Sequence, residues 1–212
     1  MTTTVATAAL KALFESCESA GEYVVGYLEH MSSMLRALDT EAVCRLIGCL
    51  EESCDKGQQV FLIGNGGSAA VASHVAADLG PNTLAEGKEP FRVVSLNESI
   101  ESLTAIANDS GYENVFAYQL RCHLCPGDLV IAFSVSGNSE NIIRAVQAAK
   151  AMGAFTVGLT GFDGGRLKSA CDLSIHFPSS RDEYGPVEEL FACVGHIVTG
   201  YLTMRRGRNL YH

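Results

Sequence analysis

Apolar and polar positions along the chain fall into two textures. Over residues 6–34, Leu10, Leu13, Phe14, Cys17, Val24, Tyr27, Leu28 and Met31 recur near helical spacing, and Leu35 continues the series. This predicts one long amphipathic helix. A second helical pattern opens at Asp39-Thr40-Glu41, carries Val43, Leu46, Ile47 and Leu50, and stops at Lys56-Gly57, a basic last turn before a C-cap glycine. Beyond Gly57 the texture changes to short β-branched or apolar runs at 59–63, 91–96, 128–134, 155–160 and 173–177. Helical stretches lie between them near 68–79, 99–107, 114–123, 139–152 and 165–170, and a last helix is predicted over about 187–204. Strands alternating with helices imply right-handed crossovers and a mostly parallel sheet covered on both faces, an α/β fold. Neither a repeat nor a linker divides the chain. The expected organisation is one domain over 1–212, with a helical extension at about 6–56 and an αβ core at about 57–206.

Composition narrows the function classes. Of 212 residues, 47% are apolar and 18% charged, which is globular usage. Fifteen Lys and Arg against 24 Asp and Glu give a formal charge of −9, so nucleic acid and anionic membrane are excluded as general partners by repulsion. A small phosphorylated substrate stays open, because backbone amides and hydroxyls can hold it. No apolar run approaches the roughly 20 residues of a membrane span, and Met1-Thr2-Thr3-Thr4-Val5 lacks a secretory pattern, so the chain is expected to be cytoplasmic. In a reducing compartment the eight cysteines are expected to serve mostly as small core residues. Cys122-His123-Leu124-Cys125 has no second C-x-x-C and reads as a helix end before the Pro126-Gly127 turn.

In such a sheet, ligands gather beyond the carboxyl ends of the strands. Two loops there carry chemistry. Gly64-Asn65-Gly66-Gly67-Ser68 joins the first strand to a helix, with glycines that let backbone approach an anion and a helix N-terminus that offers free N–H groups. Ser134-Val135-Ser136-Gly137-Asn138-Ser139 repeats the arrangement after the third strand and supplies three hydroxyls. Neither has the dinucleotide or P-loop spacing.

With Leu103-Thr104-Ala105-Ile106-Ala107-Asn108-Asp109 and Leu159-Thr160-Gly161-Phe162-Asp163-Gly164-Gly165, these loops form four ordered motifs, and the chain resembles the sugar isomerase (SIS) domain proteins over about residues 8–206. Within them it is similar to the phosphoheptose isomerases. The resemblance implies a flavodoxin-like three-layer sandwich with a five-stranded parallel sheet. It also implies a homotetramer assembled through the N-terminal helices, and isomerisation of sedoheptulose 7-phosphate. It places Ser68, Ser134, Ser136 and Ser139 on the phosphate, Asn65, Gly66 and Gly67 beside the substrate, and Asp109 near the sugar. Val135 stands where the family commonly has Thr, which is expected to leave the cradle poorer by one hydroxyl.

Enediol chemistry needs one group that moves a carbon-bound proton and another that moves oxygen protons. His74 and Asp78 are four apart and share a helix face; Glu188 and His196 lie two turns apart on the last helix. As bland alternatives, His74 is a polar residue in a packed helix, Asp78 a surface charge and His196 a satisfied core histidine. The resemblance gives Asp78 and His196 the acid–base work, Glu188 a substrate contact, and His74, Asp78, Glu188 and His196 a zinc ion. Asp78 replaces a usual Glu, so its carboxylate is expected to retreat. Glu188 replaces a usual Gln, and its eight-residue separation from His196, about 12 Å of helix, makes one shared ion difficult unless Glu188 precedes the helix or a neighbouring subunit supplies a ligand. Gly185 and Pro186 replace an acid and an Arg, with acids two or three residues earlier, which puts the sugar hydroxyl contacts in question. The rival readings are an isomerase of another phosphosugar, a non-catalytic adaptor like the SIS proteins that bind the bacterial replication initiator, and a phosphosugar-sensing regulatory domain.

Overall fold

The computed structural model describes residues 9–208. Its strands are β1 (Gln59–Gly64), β2 (Arg92–Ser95), β3 (Leu129–Ser134), β4 (Phe155–Thr160) and β5 (Leu173–His176). Nine α-helices are described: α1 (Ala9–Ser16), α2 (Ala20–Arg36), α3 (Thr40–Asp55), α4 (Gly67–Leu79), α5 (Ile100–Ser110), α6 (Val115–His123), α7 (Glu140–Ala151), α8 (Gly165–Ala170) and α9 (Tyr184–Arg205). All strand pairs are parallel, in the order β2-β1-β3-β4-β5. This is the flavodoxin-like order, and it reverses direction between β1 and β3.

The two-residue period of the strands builds a core on each face. Val60, Leu62, Leu129, Ile131, Phe133, Val157 and Leu159 pack with α3, α4 and α9, while Phe61, Ile63, Val130 and Ala132 pack with α6, α7 and α8. Both sets are buried, which is why the strands read as unbroken apolar runs.

Two expectations are corrected. The N-terminal helix is two helices, broken at Cys17-Glu18-Ser19. Ser19 Oγ accepts the Glu22 N–H (3.2 Å), and Glu22 Oε2 accepts the Glu18 N–H (2.8 Å). An S-x-x-E signature of this kind starts a new helix even where the apolar period runs on. The cysteines are not mostly core: Cys54 is buried, Cys17, Cys49, Cys171 and Cys193 are half-buried, and Cys44, Cys122 and Cys125 are exposed. All are free thiols, and burial pushes the Cys171 thiol up to about 12.

Candidate active site

The loops after β1 and β3 meet at the point where the strand order reverses. Gly64 is required there, since a Cβ would stand 2.5 Å from the Ser68 carbonyl oxygen. Asn97, just past β2, donates from Nδ2 to the Gly64 carbonyl (2.8 Å) and fastens the loop from the other side. Gly66 precedes α4 with φ of +57° and leaves no side chain over the first amides of the helix. In the second loop, Gly137 adopts φ of +62° with its backbone against Gly164, where any Cβ would collide. The Leu167 N–H donates to the Gly137 carbonyl and the Gly161 N–H to that of Val135, both at 2.9 Å. Ser139 precedes α7 without capping it, so its hydroxyl and the first amides of α7 stay available. Ser68 and Ser134 are buried; Ser136 and Ser139 are half-buried.

One detail differs from the sequence reading and another adds to it. Val135 is buried in the apolar core, so its side chain was never a wall of the phosphate cradle. Cations do flank the second loop: Arg166 donates to the Asn138 carbonyl (3.0 Å), and Arg166 and Arg144 both bond the Glu140 carboxylate (2.8 and 3.2 Å). Hydrogen bonds from these two guanidiniums hold the Glu140 carboxyl below its usual range.

Asn65 is tied to residues that motif reasoning missed. It exchanges two hydrogen bonds with Asn141 on α7 and accepts a third from the Tyr112 hydroxyl. Asp109 is exposed at the end of α5, where its carboxylate accepts from neighbouring Asn108 (2.8 Å).

The remaining residues lie along α4 and α9, which pack closely because Gly195 faces Val75; a Cβ at 195 would stand 2.5 Å from Val75 Cγ2. This spacing brings two imidazoles and a carboxylate together. His74 Nε2 lies 3.3 Å from Asp78 Oδ2 and 3.3 Å from His196 Nε2, and His196 Nε2 lies 3.7 Å from the same Asp78 oxygen. Asn82 braces the other oxygen of Asp78 (3.1 Å). The shorter Asp side chain therefore reaches both rings, contrary to the expected retreat. Neither histidine is a core residue: the side chains of His74 and His196 are 52% and 57% exposed.

The donor atoms of these three residues lie within 4.8 Å of one another, and two imidazole nitrogens with one carboxylate oxygen are a donor set that fits zinc. Glu188 does not join them. It lies within α9, its carboxylate fills the space above Gly67, and Oε1 accepts from Ser68 Oγ (3.2 Å). The group of donor atoms within 4.8 Å is His74, Asp78 and His196, without Glu188.

The acids before α9 are also turned away from the loops. Glu183 is buried against His30 of α2 and the Ser180 N–H, and Asp182 accepts the Lys11 N–H (2.9 Å). They clasp the N-terminal helices, and Gly185 lies on the same side, where a Cβ would stand 3.6 Å from the Tyr27 hydroxyl of α2.

A parallel sheet of this order, with two open helix N-termini at its reversal point, defines a flavodoxin-like α/β protein. The chain belongs to the SIS domain family, whose model matches residues 26–161, short of α9. Within that family it is a phosphoheptose-isomerase-type chain. It is 38% identical over 159 residues to the phosphoheptose isomerase of Rhodospirillum rubrum, covering 75% of this chain and 83% of the relative. It is 42% identical over 147 residues to that of Nitratiruptor, covering 69% and 77%. The phosphoheptose isomerase structure from Neisseria gonorrhoeae superposes with a TM-score of 0.80 at 27% identity, over 88% of this chain and 100% of that one.

Proposed function

We propose that this chain interconverts sedoheptulose 7-phosphate and D-glycero-D-manno-heptose 7-phosphate through an enediol. The observation that carries the reading is the convergence of His74, Asp78 and His196 two turns along the helix that begins at the Gly64–Ser68 loop. Ser68, Ser134, Ser136 and Ser139, with the amides at Gly66 and Gly67, hold the phosphate. Six residues of helix separate Ser68 from His74, about 9 Å. That sets the reacting end of an extended sugar apart from its phosphate. Asn65, Asp109 and Glu188 meet the hydroxyls between.

With the ketose bound, the Asp78 carboxylate takes a proton from C1 and protonated His196 gives one to the C2 oxygen. The C1–H electron pair becomes the C1=C2 bond, and the carbonyl π pair stays on oxygen as a hydroxyl. Asp78 then returns its proton to C2 while His196 takes the C1 hydroxyl proton, leaving the aldehyde at C1. His74, Asp78 and His196 would hold a zinc ion, which would polarise the carbonyl in place of the proton on His196, since one ring nitrogen cannot be protonated and ligate at once. Glu188 is kept for the substrate.

We also read the chain as a single SIS domain that works as a cytoplasmic homotetramer. Support comes from Phe14, Val24, Val25 and Leu28 on α1 and α2, apolar side chains more than half exposed in the single subunit. No helix among the described residues is long and apolar enough to cross a membrane. An isomerase of another phosphosugar is the rival that Gly185 favours.

Turnover of sedoheptulose 7-phosphate, followed by NMR of the sugar with and without zinc and beside His196→Ala, tests the reading. Conversion that vanishes in the variant is the expected result. Phosphosugar binding without conversion would overturn it.

A further inference from the structure

The orientation of the Asn65 amide is set by a chain of hydrogen bonds that begins on the backbone of α7. The Ile142 N–H is shared between the Ser139 carbonyl (3.1 Å) and Asn141 Oδ1 (3.0 Å), which favours that atom as the oxygen and leaves Asn141 Nδ2 as donor. Asn141 Nδ2 donates to Asn65 Oδ1 (2.9 Å), and Asn65 Nδ2 returns a bond to Asn141 Oδ1 (2.9 Å). The Tyr112 hydroxyl donates to the same Asn65 oxygen (2.8 Å). A carboxamide has two N–H donors and an oxygen with two acceptor sites. Both acceptor sites of Asn65 and one of its N–H groups are thus engaged within the protein, and one N–H has no described partner.

The three residues come from different segments. Asn65 sits in the first phosphate loop, Asn141 in the first turn of α7 behind the second loop, and Tyr112 in the turn after α5, three residues beyond Asp109. Asn141 is only 3% exposed, so the fixed end of the chain is shielded from water, whereas Asn65 is half-buried. A doubly bonded amide pair anchored at one buried end resists rotation, because turning either group alone sets oxygen against oxygen and nitrogen against nitrogen.

We propose that Asn141 and Tyr112 are positioning residues that lock Asn65 to present one N–H, and no carbonyl, to an oxygen of the bound sugar. The inference rests on the proposed function in taking Asn65 to meet substrate. Its consequence is selective. The site accepts an acceptor oxygen at that point and cannot adapt by flipping the amide.

Two variants test it. Tyr112→Phe removes one hydroxyl and keeps the ring, and is expected to lower kcat/KM for sedoheptulose 7-phosphate about fivefold. Asn141→Ala removes both bonds to the Asn65 amide without adding charge beside the phosphate loops, with an expected loss of about tenfold. Inhibition by inorganic phosphate stays unchanged in both, since the phosphate loops are intact. In an Asn65→Ala background neither substitution costs anything further. Losses that persist undiminished in that background, or that track weakened phosphate binding, would overturn the proposal.

A second readout does not depend on turnover. In the side-chain amide NMR spectrum of the wild type, one Asn65 Nδ2 proton is expected to be protected from solvent exchange and the other not, and Tyr112→Phe to reduce the difference. Equal exchange in the wild type overturns the lock even in an active enzyme. Unequal exchange in a protein that leaves the heptose phosphate unconverted supports the lock and overturns the functional reading instead.

Discussion

The two ends of the α4–α9 pair are held by different means. At the carboxyl ends of the strands, backbone does most of the holding: glycines admit close approach, carbonyls and amides of neighbouring loops bond one another, and Glu188 packs on Gly67 and Ser68. Two turns on, the half-exposed side chains of His74 and His196 meet the more sheltered Asp78, placed by the spacing that Gly195 allows. An end built from many backbone contacts should absorb the loss of one side chain. The end built from three side chains should not.

The sharpest test of that contrast is His196→Ala. Removal of one proton-transfer group is expected to lower kcat by about 10² to 10⁴ and to leave inhibition by inorganic phosphate unchanged. A loss below tenfold would erase the distinction. Next is Gly195→Val, which touches neither substrate nor ion. Pushing α9 from α4 by even 1 Å should cost about a hundredfold in rate. Overpacking should cost about 1–3 kcal/mol in urea unfolding.

A metal titration separates the ends without kinetics. Zinc at a hundredfold over its dissociation constant should stabilise the fold by about 2.7 kcal/mol, read as a rise in Tm that His74→Ala removes and Ser136→Ala keeps. The smallest effect is expected at the loops. Ser136→Ala gives up one hydroxyl among several donors, about 1 kcal/mol, and should raise KM about fivefold with kcat unmoved.

The same contrast explains what could be read from sequence. The five strands were legible because apolar runs bounded by Gly, Ser and Asn report burial on both faces, and the loops because Gly64–Ser68 and Ser134–Ser139 carry their chemistry in consecutive residues. His74 and Asp78 share a helix turn, so their pairing followed from spacing alone. The approach of His196 depended on which helices pack, which no local pattern contains. Asn141 and Tyr112 went unnoticed for that reason: 76 and 47 residues separate them from Asn65. The hydrogen bond of Glu188 to Ser68 joins positions 120 residues apart, so spacing could not show it. The break at Ser19 was present as S-x-x-E but hidden under a continuous apolar period.

One feature of the packing bears on how the protein is made. The helix α9 follows all five strands in the chain, yet Val187, Leu190, Phe191, Val194 and Val198 complete the core that covers one face of the sheet. Until it leaves the ribosome, Leu62, Ile131 and Phe133 have only α3 and α4 to shelter them. The nascent sheet therefore presents a sticky, half-covered surface of the kind that chaperones bind and aggregates recruit. The residues that close the core and the residue that completes the histidine cluster lie on the same segment, so docking of α9 covers the sheet and assembles the cluster in one event.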